Sequence, residues 1–258
     1  HFGDKFYSFR VDVNGVNTTP VISTVGPYIP IEGYRRNSLG YLKASPDASK
    51  IIVANFGTAT VAAGNAAGSV DLYDFNNETG VISNHIELYG PQNNDSPYGV
   101  EFSAENRKVY ATISEGAGGA GTSHVMQWDL ESADIVNSMQ IIHSSTSITA
   151  GALQLGIDRR IYRAQLSYTG VDNISDYLGV ITSPEANGTL ANYNEQGVLL
   201  DINGTNVNKS RIGLPPFIQS LFNSEIDIIQ NGISTTELKL CTNDSYVLEA
   251  EAIEGADY

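Results

Sequence analysis

The chain has one cysteine, Cys241, in 258 residues. No disulfide can form within it, so its stability has to come from packing. Histidine is scarce too. His1, His85, His124 and His143 stand at no zinc-ligand spacing and have no cysteine partner, which argues against a zinc site. Lys and Arg total 14 against 29 Asp and Glu, a formal charge of −15. Such a surface repels a duplex or an anionic membrane, so no nucleic-acid partner is expected. No apolar run approaches the ~20 residues of a membrane-spanning helix, and no membrane insertion by this segment is expected. No stretch reads as a helix longer than a couple of turns.

What is present is glycine (25), tyrosine (14) and many Asn, Ser and Thr, with 17% charged residues. That composition suits a turn-rich all-β protein. A phrase occurs three times. It runs Leu42-Lys43-Ala44-Ser45-Pro46-Asp47-Ala48-Ser49-Lys50-Ile51, then Val100-Glu101-Phe102-Ser103-Ala104-Glu105-Asn106-Arg107-Lys108-Val109, then, one residue shorter, Leu153-Gln154-Leu155-Gly156-Ile157-Asp158-Arg159-Arg160-Ile161. Each copy is a short strand, a polar turn and a second strand. The starts lie 58 and 53 residues apart (42 to 100, 100 to 153). Strand-built self-similarity at roughly 40–55 residues points to propeller blades.

The expected fold is therefore an all-β β-propeller. About three full blades and a partial one are visible, as part of a larger closed ring. The partial blade opens the chain. Residues 5–13 read as a strand, Asn14-Gly15 as a type I′ hairpin turn, and residues 20–25 as its return. The first full blade is expected at 40–44, 51–56, 69–75 and 81–88. The second is expected at 98–103, 108–113, 123–130 and 135–142. The third is expected at 151–156, 160–165, 177–181 and 198–201. Tyr73-Asp74-Phe75 and Trp128-Asp129-Leu130 share an aromatic-Asp-apolar ending, in which the aromatic packs between blades and the Asp caps a turn. Pro215 and Pro216 bar regular strand pairing, so 213–222 is read as a terminating segment. From about Ser224 the character changes. Residues 234–240 and 245–250 read as strands around a Cys241-Thr242-Asn243-Asp244 turn. The domain reading is 1–223 propeller and 224–258 the truncated start of an Ig-like or PKD-like domain. His1 opens polar sequence with no leader, and the chain is read as beginning mid-blade and stopping mid-domain.

Gly40 to Asp47, Tyr98-Gly99-Val100-Glu101-Phe102-Ser103, Gln127-Trp128-Asp129-Leu130, Leu153-Gln154-Leu155 and Gly213-Leu214-Pro215-Pro216-Phe217 occur in that order. This set resembles the β-propeller region of large Bacteroidetes cell-surface proteins. These are associated with gliding motility or type IX secretion, and Ig-like or PKD-like repeats follow the propeller. The resemblance covers roughly residues 5–222. Arg159 stands where that family usually has Gly. The resemblance implies an extracellular place, on the outer membrane exterior of a Gram-negative cell. It implies a protein or glycan partner there, and contact with other domains of the same chain. It supplies no catalytic residue.

Three chemistries are weighed from the residues. The second phrase position is long and polar in every copy: Lys43, Glu101 and Gln154. The innermost strand borders the channel, so these three form part of a polar ring, with Tyr98 beside it. They either satisfy one another or hold a small ligand. Gly116 to Gly121 matches G-x-G-x-x-G, but a strand follows it and not a helix, so it reads as a loop. Asp71, Asp74 and Glu78, and separately Asp172 and Asp176, lack EF-hand spacing. Calcium stays open and unassigned, and no other cofactor is expected. The leading expectation is a non-catalytic, adhesin-like surface module and not an enzyme. The alternatives are a lactonase-like propeller enzyme with Glu101 as its acid/base candidate, or a structural spacer.

Overall fold

The computed structural model describes residues 3–29, 37, 39–57, 67–90, 95–116, 121–167, 174–204, 208–215, 228–230 and 233–235. The chain divides into two units, His1–Asn223 and Ser224–Tyr258. In the first unit β1 (Gly3–Ser8) pairs antiparallel with β4 (Val21–Ile29). Between them β2 (Val11–Asp12) and β3 (Gly15–Val16) form a small hairpin. Three four-stranded antiparallel sheets follow, each in chain order. The first is β5 (Leu42–Ala44), β6 (Lys50–Gly57), β7 (Ala67–Asn76) and β8 (Val81–Tyr89). The second is β9 (Ser96–Phe102), β10 (Lys108–Ser114), β11 (Ser123–Asp129) and β12 (Gln140–Ser145). The third is β13 (Leu153–Leu155), β14 (Ile161–Arg163), β15 (Tyr177–Ile181) and β16 (Tyr193–Leu199). In the second unit β17 (Ile228–Gln230) pairs with β18 (Ile233–Thr235). The fold is all-β, built from four-stranded antiparallel sheets of the β-propeller type.

The sheets stack face on face, which explains why their middle strands carry apolar residues on both faces. Val109, Ala111 and Ile113 of β10 join Ile52, Leu72, Phe102 and Trp128 in the core between the first and second sheets. Tyr110, one residue out of phase, joins Val125, Leu153, Leu155 and Ile161 between the second and third. Alternation thus sends side chains to two cores, and both faces are covered. Phe6 and Tyr73 meet edge to face at 4.9 Å where β1 and β4 pack on the first sheet. Trp128 and Tyr73 therefore both pack between sheets, as their matching phrases predict. Asp129 caps its turn by accepting from Glu131 N at 3.0 Å. Asp74 instead holds Lys50 and Asn84, and Asn76 caps the turn.

The repeated phrase keeps one left-handed turn position, while the third loop is one residue shorter than the first two. Ser45 N donates to Lys50 O, Ser103 N to Lys108 O and Gly156 N to Arg160 O, at 2.8–2.9 Å. Ala48, Asn106 and Arg159 each carry a left-handed φ, of 55°, 58° and 65°. Arg159, which departs from the resembled family's Gly, thus occupies a conformation that glycine adopts without cost. The seam between the second and third sheets is tight. A Cβ on Gly99 would lie 2.2 Å from Gly151 O, so the backbones there approach as only glycine allows.

Three sequence expectations are corrected. The hairpin tip is Val13-Asn14, because Asp12 pairs with Gly15. Asp12 Oδ1 accepts from Asn14 N at 2.8 Å and fixes the turn one residue earlier. Asn14 is not left-handed, so the turn is not type I′. Residues 21–29 return on β1 and not on that hairpin. The outer strand expected at 135–142 begins at Gln140, after a short 3-10 turn at Val136–Ser138. Ser138 Oγ donates to Ile135 O there and accepts from Asp129 N. The strands expected at 234–240 and 245–250 lie mostly or wholly outside the described residues, as do 117–120 of the glycine motif, Asp172 and Cys241.

Candidate functional site

The structure brings Lys43, Glu101 and Gln154 together from three successive inner strands. Lys43 Nζ donates to Gln154 Oε1 at 2.6 Å and lies 3.4 Å from Glu101 Oε2. All three are buried. Glu101 Oε1 accepts from Phe102 N and Oε2 from Leu155 N, both at 2.9 Å. Gln154 Nε2 donates to Leu155 O. A buried charge is tolerable when paired and hydrogen-bonded, and these groups turn their polarity on one another. Tyr98 is half-buried against Tyr41 and Phe56, with its ring edge-on to Tyr41 at 5.5 Å. Burial pushes its hydroxyl pKa up.

The acidic residues weighed for calcium are not gathered either. Asp71 is buried against Ser69, Asn55 and His85. Asp74, three residues on, faces Lys50 and Asn84. Asp176 pairs with Lys209. Among the described residues no group of three or more His, Cys, Asp or Glu could hold a metal ion.

A different constellation stands at one end of the second sheet. Register places His124 of β11 opposite both Ile113 of β10 and Ser144 of β12. Glu115 lies two residues beyond Ile113, on the same face, because side chains alternate along a strand. His124 Nδ1 lies 2.8 Å from Ser144 Oγ, and His124 Nε2 lies 3.0 Å from Glu115 Oε1. A neutral imidazole donates from one nitrogen and accepts at the other. With Nε2–H donating to the carboxylate, Nδ1 accepts the Ser144 hydroxyl proton. The hydrogen bond from His124, then one from Thr122, holds the Glu115 carboxyl below its ordinary range, so it stays ionised. The described residues on either side of 117–120 are hydrogen-bonded. Glu115 N donates to Thr122 O, Gly121 N to Glu115 O, and Gly116 N to Asp95 Oδ1. Asp95 is held in turn by Tyr89 OH. Ser144 is exposed and open to an approaching substrate. A hydroxyl, a base and an orienting acid in hydrogen-bonded series are the parts of nucleophilic catalysis.

The other two described histidines lack this series. His85 bonds Asp71, whose second oxygen takes the Ser69 hydroxyl, so the serine reaches the acid and not the base. His143 bonds Glu195 at 2.8 Å and lies against the Tyr193 ring. Sequence reading weighed His124 as a zinc ligand and did not connect it with Ser144 or Glu115. Residues 115, 124 and 144 carry no local motif, and only the register of three strands joins them. The one available signal was the shared strand order of the repeats, read as register.

No family model matches the chain, and no curated protein matches it. Several solved structures are similar. One is a candidate 6-phosphogluconolactonase from Bacteroides fragilis, 14% identical, TM-score 0.43, covering 76% of this chain and 53% of that one. Another is a puromycin hydrolase variant, 10% identical, TM-score 0.43, covering 72% and 27%. A third is a candidate dipeptidyl aminopeptidase IV from Bacteroides ovatus, 13% identical, TM-score 0.39, covering 68% and 28%. The chain thus spans about half of the first structure and about a quarter of the other two. At such identities the likeness bears on fold alone. The expectations of a non-catalytic, adhesin-like module and of a non-enzyme are nonetheless corrected here. These three structures bear the names of enzymes.

Proposed function

We propose that the chain carries a serine-hydrolase site for carboxylic esters, lactones included. Ser144 is the nucleophile, His124 the general base and Glu115 the group that orients the ring. The observation that carries this reading is the unbroken series Ser144 Oγ, His124 Nδ1, His124 Nε2, Glu115 Oε1. Ser144 Oγ attacks the carbonyl carbon as its proton passes to Nδ1. The acyl–oxygen bond then breaks, and Nδ1 returns the proton to the departing alkoxide, which for a lactone stays tethered as the opened hydroxyl. Water, deprotonated by the same nitrogen, releases the acid and restores Ser144.

The test is labelling of the full chain with a fluorophosphonate, followed by peptide mass spectrometry. The expected result is label on Ser144, lost in Ser144→Ala and in His124→Ala. Label on another serine, or none while the chain is folded, overturns the assignment.

The finer architecture belongs to the same proposal. The three sheets are blades, and β1 with β4 is the outer half of a fourth. Residues 212–215 run where its inner strand belongs, for Ala152 N donates to Ile212 O at 2.8 Å and Tyr41 OH to Leu214 O at 2.9 Å. A ring of four, narrower than the larger one expected, lets Lys43 meet Gln154 across its axis. Residues 224–258 are read as the start of an Ig-like domain, and the setting as the exterior of a Bacteroidetes cell, both on the resemblance alone.

A further inference from the structure

A groove of the first unit lies away from Ser144, where the β2–β3 hairpin faces the turn between β7 and β8. It encloses about 610 Å³. Phe9, Arg10 and Asn17 form one wall and Phe75, Asn77 and Glu78 the other. Phe9 is 52% exposed. The walls are braced from behind. Asn76 Oδ1 accepts from Glu78 N and Thr79 N, which leaves Asn77 and Glu78 at the tip of the turn. Asn17 N donates to Arg10 O, and Asn17 Oδ1 accepts from Thr19 N. Among the described residues the Glu78 carboxylate has no cation within 4.0 Å, while Arg10 has only Asp12, at 3.8 Å. The groove therefore offers an apolar ring face ringed by an amide, a carboxylate and a guanidinium with hydrogen-bonding capacity to spare.

We propose that this groove binds a neutral oligosaccharide. A pyranose presents an apolar C–H face and an equatorial rim of hydroxyls that are both donors and acceptors. Phe9 suits the face. Asn77 and Glu78 suit the rim, since planar groups accept from or donate to neighbouring hydroxyls in pairs. The volume falls within the range of ligand clefts, roughly 300–1,000 Å³. Charge selects against an anionic ligand. Arg10 is offset by Asp12 and Glu78, and the whole chain carries −15. The groove is built by β1–β4 and the first sheet, so the inference stands apart from the hydrolase site on the second.

The test is calorimetric titration of the full chain with cellohexaose, xylohexaose, mannohexaose, laminarihexaose and chitohexaose. The variants are Phe9→Ala, Glu78→Gln and, as an exposed control on the same hairpin outside the groove, Val13→Ala. Circular dichroism and melting temperature establish that each variant is folded. At least one sugar is expected to bind saturably. Phe9→Ala should weaken it by roughly tenfold, about 1.4 kcal/mol, and Glu78→Gln should weaken it as well, while Val13→Ala leaves it unchanged. No saturable binding of any of the five overturns the proposal, as does binding that Phe9→Ala and Glu78→Gln leave intact.

Discussion

Lys43 Nζ reaches from the first four-stranded sheet to Gln154 Oε1 of the third, 2.6 Å away, and passes Glu101 of the second on the way. One cation thus ties three successive inner strands. Removing it takes the Lys43 cation away from the buried Glu101 carboxylate. Loss of one partner of a buried pair costs roughly 3–5 kcal/mol. Lys43→Met should lower stability by about that much in urea unfolding. Lys43→Met combined with Glu101→Gln removes both charges and should recover a large part of the loss. Additive effects in this cycle would show that the pair does not couple, and the reading of a closed polar knot would fail.

Ala48 holds a φ of 55° at the position that Asn106 and Arg159 occupy in the other two turns. A left-handed residue with a Cβ costs roughly 1–2 kcal/mol, and glycine gives back roughly 0.5–1 in backbone entropy. Ala48→Gly should therefore stabilise the chain by about 0.5–1 kcal/mol. Ala111→Gly, in the buried middle of β10, should do the opposite. A melting temperature that falls for Ala48→Gly would contradict the turn geometry.

Acid should weaken the second sheet through Asp129. The hydrogen bond from Lys108, 2.8 Å away, is the chief cause that holds the Asp129 carboxyl below its ordinary value of 3.8, with the Glu131 amide adding to it. A carboxylate with a depressed folded-state pKa adds stability that is present above the unfolded value. That stability is lost as pH falls through the folded value. The window is therefore below pH 3.8. Lys108→Met should flatten the fall of melting temperature with pH in that window. Asp74 behaves alike at the matching position. Burial alone would raise its pKa, but the hydrogen bonds from Lys50 and Asn84 outweigh burial and lower it. Parallel acid curves for Lys108→Met and the parent chain would rule this out.

Repetition made most of the scaffold legible. Where a strand is apolar on both faces, as in Val109-Tyr110-Ala111, its place in the sheet follows from the sequence. Tyr177–Ile181 falls as expected. The meeting of Lys43, Glu101 and Gln154 was legible too, because one polar position recurred among apolar neighbours. Where local polar bonds compete with the ladder, expectation slipped. Asp12 moved a hairpin tip by one residue, and Ser138 delayed β12 to Gln140. The Ser144 site was not legible. Its members are separated by 9 and 20 residues (115 to 124, 124 to 144). A one-residue slip of register would turn Ser144 to the opposite face. Strand order can be inferred from repeats, but register to one residue cannot.

The kinetic signature of the Ser144 site separates a working relay from a chance contact between neighbouring strands. Residues that act as one unit are not additive. On a p-nitrophenyl ester, Ser144→Ala and His124→Ala should each remove roughly a thousandfold or more of kcat/KM, and the double variant should be no worse than either alone. Glu115→Gln keeps the shape but loses the charge that orients the ring, so it should cost less than loss of the nucleophile. The Glu115 carboxyl is held below its ordinary 4.5 by His124. Protonation of Glu115 should therefore add no acid limb to the rate profile above pH 4.5. A merely structural Glu115 would shift melting temperature in Glu115→Gln without changing turnover. Equal turnover in Ser144→Ala and the parent chain would remove Ser144 as the nucleophile, and with it the hydrolase reading at this end of the second sheet.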